Sequence, residues 1–356
     1  MNAAEQKSEN DAAIRGWLFV VYGMILGMTM LGGITRLTGS GLSMVEWHPL
    51  MGTLPPIGEA EWLAVFAQYK LSPQYLQVNE WMELADFKRI FFWEYCHRLF
   101  GRLIGVVFFL PWILFVVRKQ LRGGLAFRTA LIFVGGGLQG LLGWYMVQSG
   151  LVDKPEVSHY RLAAHLLLAC VLAVWVLWTF LDLNSRKELR PPKSSSSALR
   201  WGFIAAIIGI FIQIGFGALM AGTRAGYLYA NFPKMNGRWI PSNLLMEPLG
   251  WRNLVDNPTG IHFTHRALAW VVAFGVLVLC GVAWQKAQTE IQRLSVRLLA
   301  ACILGQFLLG VLTVIYSVPV PIAVAHQGCA VLLLSAGVFG LYAFGESSGV
   351  ITEDLS

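Results

Sequence analysis

Long apolar runs alternate with polar segments along the whole chain. A transmembrane helix needs about 20 apolar residues to cross a bilayer, and a backbone in lipid must form helices or a closed barrel. The runs here are too long and too uniformly apolar for barrel strands. The pattern therefore predicts eight transmembrane helices, at residues 16–36, 91–117, 128–149, 160–181, 201–221, 262–284, 297–316 and 322–345.

The polar segments divide the chain into two halves of four helices each. The segments 37–90 and 222–261 are long, and the central segment 182–199 is rich in Ser, Pro and Lys. Short loops rich in Lys and Arg face the cytoplasm, which predicts that both termini are cytoplasmic and that the two long loops lie outside. The predicted domains are a tail at 1–15, an N-terminal half at 16–181, a linker at 182–199, a C-terminal half at 200–345 and a tail at 346–356.

Composition supports the membrane class and excludes others. Hydrophobic residues make up 56% of the chain and charged residues 13%, whereas soluble domains carry about 25% charged residues. A cytosolic enzyme, a nucleic-acid binder and a disordered protein are therefore excluded, and the net charge of +7 is assigned to the inner loops. The five cysteines form no CxxC or CxxCH pattern, which argues against a zinc knuckle, a redox pair and covalently attached heme.

The two halves repeat several short motifs in the same order. The matching segments are 33–36 with 221–224, 96–98 with 264–266, 139–143 with 306–310, and 164–165 with 325–326. Because four spans separate the copies, both run through the membrane in the same direction, unlike the inverted repeats of many transporters. The predicted fold is an all-α polytopic membrane protein made of two tandem parallel-repeat four-helix bundles.

Four histidines form two repeated pairs inside the predicted spans, near their outer ends: His97, His165, His265 and His326. Ionisable residues in a membrane are costly and often functional, although a single histidine commonly serves as a helix–helix hydrogen-bonding group. Zinc prefers four protein ligands, and each half offers two. Two histidines facing each other across a bundle suit the axial positions of a heme, so the pattern predicts two heme sites.

The halves differ in one acidic residue. Glu94 lies one helical turn before His97, and the matching position in the second half is Ile261 or His262. An acid beside only one heme site indicates that this half carries chemistry while the other holds its heme passively. The alternative interpretation is that Glu94 is solvated at the membrane face or pairs with Arg98 or Arg102.

Four arginines at the outer ends of the spans are candidate partners for heme propionates, because guanidinium groups bind carboxylates in a bidentate manner. The alternative is that they extend to the membrane interface. Among the remaining histidines, His48 is interpreted as a loop residue, and His159 and His262 as supporting groups. The four arginines are Arg36, Arg98, Arg224 and Arg266.

Several of these segments resemble the heme A synthase family over nearly the whole chain. They are GGITRLTGSGLSMVEWHPLMGTLPP at 32–56, EYCHRLFGR at 94–102, YRLAAH at 160–165, HFTHR at 262–266 and AVAHQ at 323–327. The resemblance implies an eight-helix inner-membrane enzyme that oxidises the C8 methyl group of heme O to the formyl group of heme A, for cytochrome c oxidase. Residues 37–90 contain no cysteine, so the chain resembles the proteobacterial and mitochondrial branch of the family.

The resemblance also implies site roles. His265 and His326 would ligate a resident heme b in the C-terminal half. His97 and His165 would flank the substrate heme in the N-terminal half, with Glu94 assisting the chemistry. The implied location is a bacterial inner membrane rather than a mitochondrial one. Expected partners are the lipid bilayer, heme O, heme O synthase, cytochrome oxidase assembly factors, an electron donor and further copies of the chain, with no nucleic acid.

Two other functions remain open from the residues alone. A diheme b-type electron carrier would share the paired histidines, but Glu94, which has no counterpart in the second half, and the long outer loops count against it. A transporter or heme-delivery protein would use the histidines as transit sites without converting the heme.

Overall fold

The computed structural model of the protein describes residues 3–46, 54–183 and 197–345, and in these residues it contains no β-strand. An all-helical fold is thereby confirmed for the described chain. Two 3₁₀ segments (Ala225–Tyr227 and Glu247–Leu254) and a π-helical turn (Tyr75–Asn79) accompany the α-helices. The α-helices are α1 (Ala3–Leu37), α2 (Glu59–Lys70), α3 (Leu84–Val117), α4 (Gly123–Gln148), α5 (His159–Asp182), α6 (Ser197–Gly222), α7 (Pro258–Lys286), α8 (Glu290–Ile315) and α9 (Val320–Ala343).

Eight helices in the described parts of the chain are long and apolar enough to cross a membrane. They are all of the α-helices except α2, and the predicted number of spans is confirmed. The linker prediction for 182–199 falls mostly on residues outside the described ranges, and so do the predictions for His48 and the tail 346–356.

Several helices begin earlier than the apolar runs that predicted them. The helix α3 begins at Leu84, where the Glu83 backbone N–H donates to Asp86 Oδ2 at 3.4 Å. The helix α7 begins at Pro258, after the Asn257 side chain accepts from the Thr259 N–H at 3.0 Å. Capping groups are polar and lie beyond the apolar run, so hydropathy alone misses these turns. The helix α1 also begins before its apolar run, because it continues from Ala3 through the polar segment 1–15 that is predicted to be a cytoplasmic tail.

The transmembrane helices form two rings of four. In the N-terminal ring, α1 contacts α3 and α5, and α4 contacts the same two helices. In the C-terminal ring, α6 contacts α7 and α9, and α8 contacts the same two helices. The rings meet where α5 packs on α6 and α9 and where α1 packs on α9. Helices in matching order along the two halves thus occupy matching places in the two rings.

Side-chain hydrogen bonds within the transmembrane region join the two rings. The Tyr22 hydroxyl on α1 donates to Ser335 Oγ on α9 at 2.8 Å. The Gln327 side chain on α9 donates to the Thr29 carbonyl on α1 at 2.6 Å. Each bond satisfies polar groups that would be costly if unpaired in a membrane, so these contacts fix the relative position of the rings.

The first long loop lies on the side of the membrane that is predicted to be outside, which we refer to as the outer side, and it contains a packed helical cover. Helix α2 lies against the start of α3 through stacked rings, with Phe66 and Phe87 centroids 5.0 Å apart and Tyr69 and Phe87 centroids 5.1 Å apart. Tyr69 is fully buried, and burial is the main cause that raises the pKa of its phenol above the ordinary value. This aromatic cluster anchors the outer segment above the N-terminal ring.

Candidate functional site

The structure places the four predicted histidines as one pair in each ring. His97 on α3 and His165 on α5 belong to the N-terminal ring, and His265 on α7 and His326 on α9 belong to the C-terminal ring. Within each ring the two histidines lie on the two helices that face each other across the ring. All four lie on helices that begin on the side of the long outer loops, so both pairs lie toward that side of the membrane.

Each imidazole lies against a glycine of the neighbouring helix in its ring. A methyl group added to any of these glycines would meet the imidazole at 3.0–3.3 Å, which is too close to be accommodated without a shift of the ring. Glycine at these four positions therefore leaves room for the histidine side chain between two helices. The pairs are Gly32 with His97, Gly143 with His165, Gly217 with His265, and Gly310 with His326.

Three of the four histidines also have a glutamine neighbour on the glycine-bearing helix. Gln139 and Gln213 each donate to the backbone carbonyl of their histidine at 3.0 Å, and Gln306 lies 3.5 Å from its histidine ring. When α1 and α6 are aligned on Arg36 and Arg224, Ile25 of α1 occupies the position of Gln213 of α6. The glutamine–histidine pairs are Gln139 with His165, Gln213 with His265, and Gln306 with His326.

The donor set fits a heme better than a bare metal ion. No group of three or more His, Cys, Asp or Glu side chains that could hold a metal is found among the described residues. A porphyrin brings its own four nitrogens and needs only axial ligands, which two histidines can supply. The Oε1 atoms of the three glutamines and His326 Nδ1 are buried without a hydrogen-bond partner in the chain. Unsatisfied buried polar atoms are uncommon, and these four belong to the histidine sites.

Glu94 is buried and points to the outer segment that follows α1. Its Oε2 accepts from the Ser43 hydroxyl at 2.7 Å and from the Met44 N–H at 2.8 Å. Its Oε1 accepts from Arg98 at 2.5 Å, and Arg98 also donates to the carbonyls of Met44 and Glu46. Three donors match a carboxylate, which only accepts hydrogen bonds. The pairing with Arg98 that the sequence left open is therefore present.

The C-terminal ring carries the same arrangement with a different residue in place of the acid. Arg266 donates to the carbonyls of Tyr229 and Asn231 at 2.9 Å each, and its Nε donates to His262 Nε2 at 2.9 Å. Counting from the histidine–arginine motifs, His262 occupies the position of Glu94. In both rings an arginine thus fastens the outer segment to the helix that bears a heme-ligand candidate.

Arg36 and Arg224 connect the two halves. Arg36 donates to the carbonyl of Ala221 at 2.8 Å and to that of Gly222 at 3.3 Å, at the end of α6. Arg224 lies 3.2 Å from the Glu156 carboxylate, on the loop between α4 and α5. Each of these arginines therefore reaches into the opposite half, an exchange that sequence analysis did not predict.

A further contact between the halves also escaped sequence analysis. Asp256, just before α7, accepts from the Tyr160 hydroxyl at 2.6 Å, from His159 Nε2 at 3.2 Å and from Arg252 Nε at 2.6 Å. Three donors from two halves converge on one carboxylate. The interpretation of His159 as a supporting group agrees with this contact, but no motif marks Asp256, because two of its three partners, His159 and Tyr160, lie far away in sequence.

Known proteins resemble this chain closely. The model of the family described as cytochrome oxidase assembly protein (COX15-CtaA) matches residues 15–338. A protein of Nitrosospira multiformis named heme A synthase is 41% identical over 340 residues, covering 94% of this chain and 94% of the relative. Proteins of the same name from Nitrosomonas eutropha and Rhodospirillum centenum are 42% and 43% identical, covering 94% and 93% of this chain and 95% and 88% of the relatives.

Proposed function

The chain belongs to the family of cytochrome oxidase assembly proteins, and we propose that it is a heme A synthase, a multi-pass membrane enzyme that oxidises heme O to heme A. Relatives of that name cover almost the whole chain at more than 40% identity. The eight apolar helices and the two histidine pairs support the same function.

We further propose a division of labour between the rings. His265 and His326 hold a resident heme b in the C-terminal ring, and His97 and His165 flank the substrate heme in the N-terminal ring. We refer to the line of contact between two neighbouring helices as a seam. The assignment rests on a difference between two equivalent seams, that of α7 with α8 and that of α3 with α4.

The seam between α7 and α8 is closed beside its histidines by aromatic rings. The centroids of Trp270 on α7 and Phe307 on α8 are 4.6 Å apart. Phe232 of the outer loop packs on both, with centroids 5.9 Å from Trp270 and 6.1 Å from Phe307. Such a plug separates the histidine pair from the lipid, which suits a heme that stays bound.

The seam between α3 and α4 lacks this plug. When α4 and α8 are aligned on Gln139 and Gln306, three glycines of α4 occupy the positions of three large apolar residues of α8. The pairs are Gly136 with Ile303, Gly137 with Leu304, and Gly140 with Phe307. A methyl group added to any of the three glycines would meet no atom within 4 Å. Farther inward the same seam is closed, because Phe133 on α4 stacks on Phe109 and Trp112 of α3, with centroids 5.3 Å and 6.0 Å apart.

We infer from these glycines an opening in the outer half of this seam, one to two turns from Gly143 and therefore near the His165 ring. Heme O carries a long isoprenoid tail and must enter from the lipid, while heme A must leave again. We therefore propose that the substrate and product exchange laterally between α3 and α4. A closed seam on the other ring supports the assignment of the resident heme to that ring.

The side chains around these sites have separate proposed roles. When bound, a heme supplies iron for electron transfer and oxygen chemistry, and the protein supplies orientation and electrostatics. Glu94 places a negative charge one turn from His97. Arg36, whose Nε is buried without a partner, and Arg224 are proposed contacts for propionates. Arg98 and Arg266 donate to backbone carbonyls of the outer segments and to Glu94 and His262, respectively. These contacts favour a role in holding the outer segments over direct contact with propionates.

The location and partners are also proposals. The bacterial relatives and the apolar helices support a bacterial inner membrane, with both termini in the cytoplasm as the basic loops predict. Pathway order makes the enzyme that supplies heme O, an electron donor and cytochrome oxidase assembly factors the expected partners.

The function is tested by supplying heme O to the purified protein in detergent with a reductant and oxygen, and by identifying extracted hemes by chromatography and mass. We expect heme A, or the hydroxylated intermediate, together with one heme B per chain. Two hemes B per chain with no conversion of heme O would identify a diheme electron carrier instead. Unchanged heme O released to an acceptor would identify a heme-delivery protein.

A further inference from the structure

A short outer segment, Thr38–Glu46, closes the outer mouth of the N-terminal ring, and we refer to it as the N cap. It follows α1 directly and crosses to the loop after α4, where Leu42 packs so closely that a methyl group on Gly150 would lie 2.8 Å from it. From outside, Gln74 donates to the Gly39 carbonyl at 2.9 Å and accepts from the Tyr69 hydroxyl at 3.0 Å. The N cap is thus held on three sides.

The C-terminal ring has an equivalent segment, Ala225–Asn231, which we refer to as the C cap. It follows α6 and reaches the loop after α8, where a methyl group on Gly226 would lie 3.1 Å from Val318. Arg266 holds its carbonyls as Arg98 holds those of the N cap. The two caps therefore share their backbone anchors, and a difference between them is meaningful.

The difference lies in what the caps donate to the heme-bearing helix. The N cap contributes the Ser43 hydroxyl and the Met44 N–H to the Glu94 carboxylate. The C cap contains no serine, and the hydroxyl of its Tyr229 pairs with Thr259 at 3.2 Å. Ser43 is fully buried and Glu94 is 2% exposed, so this hydrogen bond lies in a region of low dielectric, where its geometry is strongly constrained.

We propose that Ser43 is a positioning residue for the oxidation of the substrate heme: its hydroxyl fixes the orientation of the Glu94 carboxylate relative to His97. A hydrogen bond at Oε1 alone, such as the one from Arg98, would leave the carboxylate free to rotate about its last bond. The Ser43 hydroxyl and the Met44 N–H bind Oε2 and remove that freedom. The inference rests on the proposed function, because it assigns Ser43 a role in that same site.

The test compares Ser43→Ala with Ser43→Thr and with Ser40→Ala. Ser40 is fully buried in the same N cap, but its hydroxyl bonds Thr38 at 2.6 Å rather than Glu94. We expect Ser43→Ala to lower the rate of heme O conversion about tenfold with little change in heme O affinity. Ser43→Thr should restore most of the rate, and Ser40→Ala should convert heme O normally.

A second readout does not depend on conversion. Hydrogen exchange of the peptide that contains the Met44 amide should become about tenfold faster in Ser43→Ala and in Glu94→Gln, and the double variant should be no faster than Glu94→Gln. A Ser43→Ala protein that matches Ser40→Ala in both rate and exchange would overturn the proposal. If the wild type makes no heme A, the proposed function fails and so does this role, even where the exchange data show that the hydrogen bond exists.

Discussion

The two rings have the same framework but differ in the groups that surround it. In both, two histidines lie against glycines of neighbouring helices, and an arginine one residue after the first histidine holds the outer segment. The N-terminal ring adds a buried carboxylate and an open seam, whereas the C-terminal ring has an imidazole and an aromatic plug at these places. We therefore propose that the shared framework binds a heme and that the two differences serve its conversion.

Glu94, which is present in only one ring, provides the first test of the comparison between the rings. Glu94→Ala leaves the buried Arg98 without its ion-pair partner and releases the N cap, and breaking a buried pair costs about 3–5 kcal/mol. We expect loss of heme A formation with heme b retained. His262→Ala, the matched change in the other ring, should leave conversion measurable. Extracted hemes from both variants check this, and equal loss of conversion in the two would contradict the assignment.

The seams provide the second test. Gly140→Phe places in the open seam the side chain that Phe307 provides in the other ring. We expect it to lower the rate of heme O conversion about tenfold or more, because the new ring blocks passage of the isoprenoid tail. A tenfold loss of rate corresponds to about 1.4 kcal/mol in the activation barrier. The b-type absorbance should not change. The reverse variant, Phe307→Gly, should weaken retention of heme b on dilution into detergent without affecting heme O binding. Normal conversion by Gly140→Phe would place the entrance elsewhere.

The glycines beneath the histidines sharpen the comparison further. An added methyl group would lie 3.0 Å from His165 at Gly143 and 3.0 Å from His326 at Gly310, and overpacking of this kind costs about 1–3 kcal/mol. Gly310→Ala should shift the spectrum or midpoint potential of heme b, and Gly143→Ala should slow conversion without that shift. A heme b spectrum altered by Gly143→Ala would show that the rings are not separate.

The smallest effect is expected from a variant at the contact between the rings, and it should affect both rings equally. Tyr22→Phe removes a hydrogen bond between α1 and α9, and such bonds contribute about 1 kcal/mol. Because the bond joins the rings without contacting either site, thermal stability should fall slightly, with heme b content and conversion reduced in the same proportion. A selective loss in one ring would indicate that Tyr22 belongs to that site.

Sequence patterns predicted the parts of the structure that depend on local periodicity. Eight apolar runs predicted eight spans, and the repeated motifs brought His97, His165, His265 and His326 to attention before any geometry was known. The repeat also contained Gln139 and Gln306. It did not reveal Gln213, because the matching position in the first half is Ile25.

Other features depend on how distant segments meet, which no local pattern encodes. Ser43 and Glu94 are 51 residues apart, and the cap that joins them is a short irregular segment without periodicity. Arg36 and Arg224 were predicted as equivalent groups, yet one binds a helix end and the other a carboxylate of the opposite half. Helix starts were missed because caps are polar.

The central claim, that one ring keeps its heme and the other exchanges it, is tested most directly by counting hemes after removing each histidine pair. The variants are His97→Ala with His165→Ala, and His265→Ala with His326→Ala, each purified and extracted beside the wild type. We predict that the first double variant keeps one heme B per chain and contains neither heme O nor heme A, and that the second loses heme B. Loss of the same heme B from both double variants would contradict the account.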